Sequence, residues 1–198
     1  MLFRSFDLVI ASEVLEHVEQ PVEFLHVLRS RVAHGGALVL TVPNGHGPAE
    51  VAAMLEALLQ VSGIYRLLRA LWRGLGLKPV AHGGAATPLV DSLALSPHVN
   101  FFSHREMLRL LATAGFVVTQ FQPRTFLCGF GFDHVVGLFG LAAWNARVAD
   151  CLPASLVSDW MFLALPAGEP GPATYRRGAY ARFRHRLNRR RTSAVAST

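Results

Sequence analysis

Apolar residues follow two rhythms along this chain: short, nearly unbroken runs, and longer stretches where they recur every three or four positions. Phe6-Asp7-Leu8-Val9-Ile10-Ala11 is the first run. It is rich in β-branched residues, the pattern of a strand buried on both faces of a parallel sheet. Polar Ser12-Glu13 and then Val14-Leu15-Glu16-His17-Val18 follow, and Pro21 suits the first turn of a helix. Phe24, Leu25, Leu28 and Val32 fall on one helical face, and the glycines of His34-Gly35-Gly36 are suited to ending that helix. Ala37-Leu38-Val39-Leu40-Thr41-Val42 is a second strand, stopped by Pro43-Asn44-Gly45. Strand, helix and strand in this order make one crossover unit and imply a parallel sheet.

Residues 48–77 carry two helical stripes. One is Val51, Met54, Leu55, Leu58 and Leu59; the other runs from Ile64 to Leu75 with Arg66, Arg69 and Arg73 opposite. Residues 79–97, with Gly83-Gly84 and three prolines, read as a mobile loop. Ser103-His104-Arg105-Glu106 has the form of a capping box, in which Ser103 bonds the Glu106 amide and Glu106 reaches back. Met107, Leu108, Leu111 and Ala114 continue that helix to Gly115. Residues 116–121 form a third strand, 132–149 an apolar helix, and 160–165 a fourth strand stopped by Pro166. The pattern predicts an α/β layered sheet over residues 1–165 with a helical insert at 48–97.

Charge changes the picture at one end only. Residues 1–165 hold 11 Lys and Arg against 12 Asp and Glu, a net −1, whereas residues 166–198 hold 8 Arg against Glu169, a net +7. The overall +6 is therefore a property of the tail. Residues 166–198 read as a disordered, Arg-rich extension. Nucleic acid is not the expected partner; an anionic membrane surface, met through this tail or through 64–75, stays open as a peripheral contact. The chain is 198 residues long and 52% hydrophobic, but its longest unbroken apolar run, Val135 to Trp144, is half of what a membrane span of about 20 residues requires. Residues 1–7 show no leader pattern. Cys128 and Cys151 are too few for a disulfide framework and lack metal-ligand spacing, so a cytoplasmic setting and no metal site are expected.

Four blocks in order carry a resemblance to a known family. Phe6 to Val18 resembles the fourth strand and following turn of class I S-adenosylmethionine-dependent methyltransferases, closest to the ubiquinone-type and type 11 or 23 groups. His34-Gly35-Gly36 through Pro43-Asn44 resembles their glycine-pair, strand and Pro-Asn segment. His98-Val99-Asn100-Phe101-Phe102-Ser103, with Ala114-Gly115-Phe116, is similar to the block before their sixth strand. Ser158 to Leu163 resembles their last strand, which runs antiparallel to the sixth. The implied fold is a partial Rossmann-like sheet, from the fourth to the seventh strand with an antiparallel last hairpin. The implied cofactor is S-adenosylmethionine, and the implied acceptor a small molecule, a lipid-linked group or a sugar.

By that resemblance Ala11, Ser12 and Glu13 lie beside the methionine part of the cofactor, Ser12 through its backbone. The family's glycine-rich turn and ribose-binding acidic residue are not found in this chain, so about 90 residues are expected to be missing before its first strand. A hydrogen bond to a charged group is worth about 1.5–3 kcal/mol. Loss of a two-armed carboxylate then weakens binding by a factor of about a hundred or more, so the chain by itself is expected to bind the cofactor weakly and to be inactive. Leu8-Val9-Ile10 is expected to form a bare apolar edge. His17 is open between general base and helix-capping residue. Asn44 and His98 are open between facing the acceptor and ordering loops. His46, His82 and His104 read as surface or cap residues. A reading of a different kind also stands: a non-catalytic methyltransferase remnant that acts as an interaction module.

Overall fold

A computed structural model describes residues 4–64, 98–128 and 136–196. The second stripe beyond Ile64, the loop reading of 79–97 and His82 lie outside the described residues. Strand β1 (Phe6–Ser12) leads through a short 3-10 turn (Leu15–His17) into helix α1 (Pro21–Arg29) and strand β2 (Val32–Pro43). Helix α2 (Pro48–Val61) follows, then α3 (His104–Thr113), β3 (Phe116–Thr125), α4 (Ala142–Cys151), a second 3-10 turn (Ala154–Leu156), β4 (Asp159–Pro166) and α5 (Ala179–Ala196).

The four strands form one sheet in the order β1-β2-β4-β3. β1 and β2 are parallel, and β4 runs antiparallel to both β2 and β3. The architecture is the mixed α/β sheet that the apolar runs imply, in the partial Rossmann-like form that the resemblance implies. Side chains alternate across a strand, so Leu38, Leu40 and Val42 of β2 enter the core beside Trp160, Phe162 and Ala164 of β4. Helix α1 buries Val22 and Leu25 there, and α3 buries Met107 and Leu111.

Three sequence expectations are revised. β1 is covered on one face only: Ala11 is buried, whereas Phe6, Leu8 and Ile10 are 52%, 52% and 64% exposed. It ends the sheet, so the described residues offer it β2 as its strand neighbour and leave the other side open. The glycine pair, too, belongs to β2 and not to the end of α1, which stops at Ser30 with its amide on the His26 carbonyl. Gly35 (φ +80°) sits where the pairing with β1 shifts register, and a Cβ on Gly36 would lie 2.8 Å from the Asp7 carbonyl oxygen. The pair lets two backbones approach. Finally, the apolar helix expected at 132–149, of which 132–135 lie outside the described residues, is broken at Gly140 with its positive φ: residues 136–138 are helical, and a separate helix spans Ala142–Cys151.

The tail differs most from its composition. Residues 179–196 are helical, and Ala181, Arg184 and Leu187 are buried, with α5 packed on α2. Upstream of α5, Ala173 and Tyr175 pack against the core, and Arg177 pairs with Glu19 and with the Asn100 side chain. Arginines that repel one another in an isolated segment find carboxylates on the body; composition alone does not show those partners. No described helix is long and apolar enough to cross a membrane.

Candidate functional site

Ligands in open α/β sheets gather beyond the carboxyl ends of parallel strands. At that end of β1 and β2 the Ser12 hydroxyl lies 2.8 Å from the Thr41 hydroxyl, which donates to Glu13 Oε1 at 2.8 Å. Arg124 of β3 reaches the same oxygen at 3.2 Å and Asp159 Oδ2 at 3.1 Å. Glu13 adopts a positive φ of 52°, unusual for a residue with a side chain, and its amide bonds to the Thr41 carbonyl. The turn after β1 is thus fixed by side chains of β2 and β3. Of the residues expected to face the cofactor, Ala11 is buried in the core, while Ser12 and Glu13 are exposed at the turn with their side chains committed to this network.

The following 3-10 turn buries Glu16 completely. Its backbone carbonyl accepts the amides of Val99 and Asn100, and Asn100 Nδ2 donates to the Leu15 and Val18 carbonyls, so the segment before α3 is fastened to this turn. Burial, reinforced by the charges of Glu13 and Glu50, pushes the Glu16 carboxyl up to about 7 against the opposing effects of a backbone hydrogen bond and His98. Glu16 Oε2 is buried without a hydrogen-bond partner. His17 Nε2 lies 3.5 Å from Glu16 Oε1, and the His17 and His98 rings meet edge to face with centroids 5.0 Å apart.

His98 Nδ1 is 2.9 Å from Glu50 Oε1, and Glu50 Oε2 is 2.6 Å from an Arg184 nitrogen. Burial disfavours charge on His98, but the hydrogen bond to Glu50 and its negative charge outweigh this and raise the imidazole above its ordinary range. Burial likewise opposes ionisation of Glu50; His98 and Arg184 overcome it and hold the carboxyl below its ordinary range. The chemistry available is that of a histidine–carboxylate pair: one ring nitrogen held by the carboxylate, the other free to take a proton.

The structure joins two of the histidines considered from sequence, His17 and His98, and separates Asn44 from them. Asn44 is buried, its amide spends its donors on the carbonyls of Ala154, Ser155 and Val157, and its oxygen accepts the His46 amide. These bonds order a loop. His104 is not a surface or cap residue either: its ring packs among Phe121, Trp160 and Phe162. Glu16, His17 and His98 each bring a ligand atom within 4.8 Å of the others, a donor set that could hold a divalent cation. Local spacing hides it because His98 is far from the other two in sequence. Glu50 and Arg184 were missed for the same reason: the first reads as a first-turn acidic residue, the second as one of many tail arginines. A separate polar cleft of about 620 Å³ is lined by Glu19, Gln20, Tyr175, Arg176, Arg177 and Arg182 and shares no residue with this cluster.

A family model described as a methyltransferase domain matches residues 2–121, which include β1, the Glu16–His17 turn, Glu50 and His98. The chain belongs to the class I S-adenosylmethionine-dependent methyltransferase family. Among solved structures it is similar to PKMT2 from Rickettsia typhi in complex with AdoHcy, at 12% identity and a TM-score of 0.45 over 86% of this chain and 37% of that one. The same protein without that description of a ligand matches at 11% and 0.42, over 85% and 37% of the two chains. An S-adenosylmethionine-dependent methyltransferase from Mesorhizobium loti matches at 16% and 0.41, over 81% of this chain and 61% of that one. The methyltransferase chain therefore spans 37–61% of the length of these solved proteins. No curated protein sequence matches it.

Proposed function

We propose that this methyltransferase chain forms the acceptor side of a site that moves a methyl group from S-adenosylmethionine to a protic atom of a small-molecule, lipid-linked or sugar acceptor. His98 takes the proton. In that step the acceptor atom bonds to the methyl carbon and the carbon–sulfur bond breaks with its electron pair going to sulfur. The acceptor's proton passes to the ring nitrogen that Glu50 leaves free. The Glu50–His98 contact carries the reading, because a buried carboxylate on one imidazole nitrogen fixes the other as the basic one. Ala11, Ser12 and Glu13 border the methionine part of the donor. The remaining cofactor contacts come from residues outside this chain, a view supported by the edge of β1 that is open among the described residues, and the chain by itself binds the donor weakly.

In an assay where residues beyond this chain complete the donor site, replacing His98 with Gln should lower methyl transfer about a hundredfold or more, the usual worth of a positioned base, with donor affinity unchanged. A variant that transfers methyl groups at the wild-type rate would refute the role. The Glu16–His17–His98 donor set favours a second role for the same cluster, in which a cation orients the acceptor oxygen. Dialysis against a chelator followed by re-addition of magnesium or manganese separates the two: activity unaltered by the chelator supports the base, and loss restored by the metal supports the cation.

A further inference from the structure

We infer that Arg184, on the C-terminal helix, is a positioning residue of the methyl-transfer site that holds Glu50 in place so that Glu50 fixes the orientation of His98; this rests on the reading of His98 as the base. Arg184 is 1% exposed, one of the largest fully buried side chains among the described residues. Its guanidinium meets Glu50 Oε2 at 2.6 Å and stands over the Phe101 ring with 4.8 Å to the centroid. Its Nε and one terminal nitrogen are buried without a hydrogen-bond partner.

That arrangement is a poor stabilising device. A buried ion pair contributes little net stability beside an apolar replacement, and unsatisfied buried donors subtract from it. What the arginine does well is divide the Glu50 carboxylate between two partners. One oxygen goes to Arg184 and the other to His98 Nδ1, so the plane of the carboxylate is set and the imidazole must donate from Nδ1. The basic lone pair is then confined to Nε2, on a ring that abuts His17 edge to face. Phe101, only three residues after His98, is the surface on which the guanidinium rests, and its ring contacts those of His98 and Tyr180 as well. Arg182, Arg186 and Arg190 lie on the exposed side of the same helix. They share its composition without its geometry.

The test is the imidazole nitrogen spectrum of His98 in the uniformly ¹⁵N-labelled 198-residue chain, recorded at alkaline pH where the ring is neutral. The wild type and Arg186→Gln should show one tautomer, protonated on Nδ1. Arg184→Gln and Glu50→Gln should each shift His98 toward a mixture, the double variant should add nothing further, and Arg184→Lys should restore much of the wild-type signal. A folded Arg184→Gln protein with an unchanged His98 tautomer would overturn the inference, as would Arg186→Gln shifting it equally. If Arg184→Gln does not fold, Glu50→Gln and Arg184→Lys decide: an unshifted tautomer in Glu50→Gln, or a lost one in Arg184→Lys, counts against it.

In a methyl-transfer assay with the donor site completed by residues beyond this chain, Arg184→Gln should lower kcat about tenfold with the KM for the donor unchanged. The two readings fail separately. Loss of the tautomer signature with no effect of His98→Gln on transfer removes the base and keeps the positioning. A large effect of His98→Gln with neither signature nor kcat altered in Arg184→Gln does the reverse.

Discussion

Two side chains, the buried Asn44 and the half-buried His104, show how little a residue's type says before its neighbours are known. Asn44 supplies one amide to three carbonyls of the turn before β4 and closes its own turn through the His46 amide. Asn44→Ala should therefore destabilise the fold by about 1–3 kcal/mol, the cost of stranding buried polar groups. A urea melt would check this, and donor binding should be unaffected in the folded variant. His104 has no polar partner for its buried Nε2 and lies against three aromatic rings. Burial holds its imidazole below the ordinary range near 6.5. The unfolded chain then binds the proton more readily than the folded one, so the stability His104 allows above pH 6.5 is lost as pH falls below it toward the folded value. His104→Phe should flatten this part of the stability curve between pH 7.5 and 5.5. An undiminished slope in that variant would show that other groups set it. His98 could be singled out from sequence, yet its chemistry could not, since it is decided by Glu50 on another helix and by Arg184 near the other end of the chain.

The regular elements were legible where one physical signal dominates. Apolar runs marked β1, β2, β3 and β4, and helical spacing marked α1, α2 and α3, although α1 ends at Arg29 and Val32, expected on its face, begins β2. The capping box at α3 is half present: Ser103 accepts the Glu106 amide at 3.3 Å, while the Glu106 carboxylate accepts the Tyr175 hydroxyl instead of reaching back. A competitor from residue 175 cannot be foreseen in a four-residue motif. The glycine pair was misread for a related reason. After a helical stripe it looks like a helix end, and only the Asp7 carbonyl opposite Gly36 shows that two strands need the space. Gly36→Ala should consequently loosen the β1–β2 pairing. Faster amide exchange at Leu8, Ile10 and Leu38 would report it, and unchanged exchange in the variant would mean the backbone yields at no cost. The tail helix was invisible to composition because its buried face carries an arginine whose partner is Glu50 of α2. Removing residues 179–198 should leave the sheet intact and free the His98 ring, visible as loss of its fixed tautomer.

Across the whole molecule, β1 and β3 are the outer strands of the sheet among the described residues, and on β1 Phe6, Leu8 and Ile10 present apolar surface. An edge of this kind favours pairing with another strand. The network of Ser12, Thr41, Glu13 and Arg124 at one end of the same strand fixes the turn after β1. The histidine–carboxylate pair stands next to it through the Glu16–His17 turn. In the proposed reading, donor-side and acceptor-side groups meet at one end of β1. The resemblance carried by residues 6–18 could locate this end of the strand, but it could not assemble the cluster, whose members come from four elements of the chain. The most direct test of the account is a titration of S-adenosylhomocysteine, to millimolar concentration, into the ¹⁵N-labelled protein while backbone amides are followed. The account predicts weak binding with the largest shifts at Ala11, Ser12 and Glu13 and smaller ones at Glu16 and His17. Shifts concentrated elsewhere, or none at any amide, would contradict it.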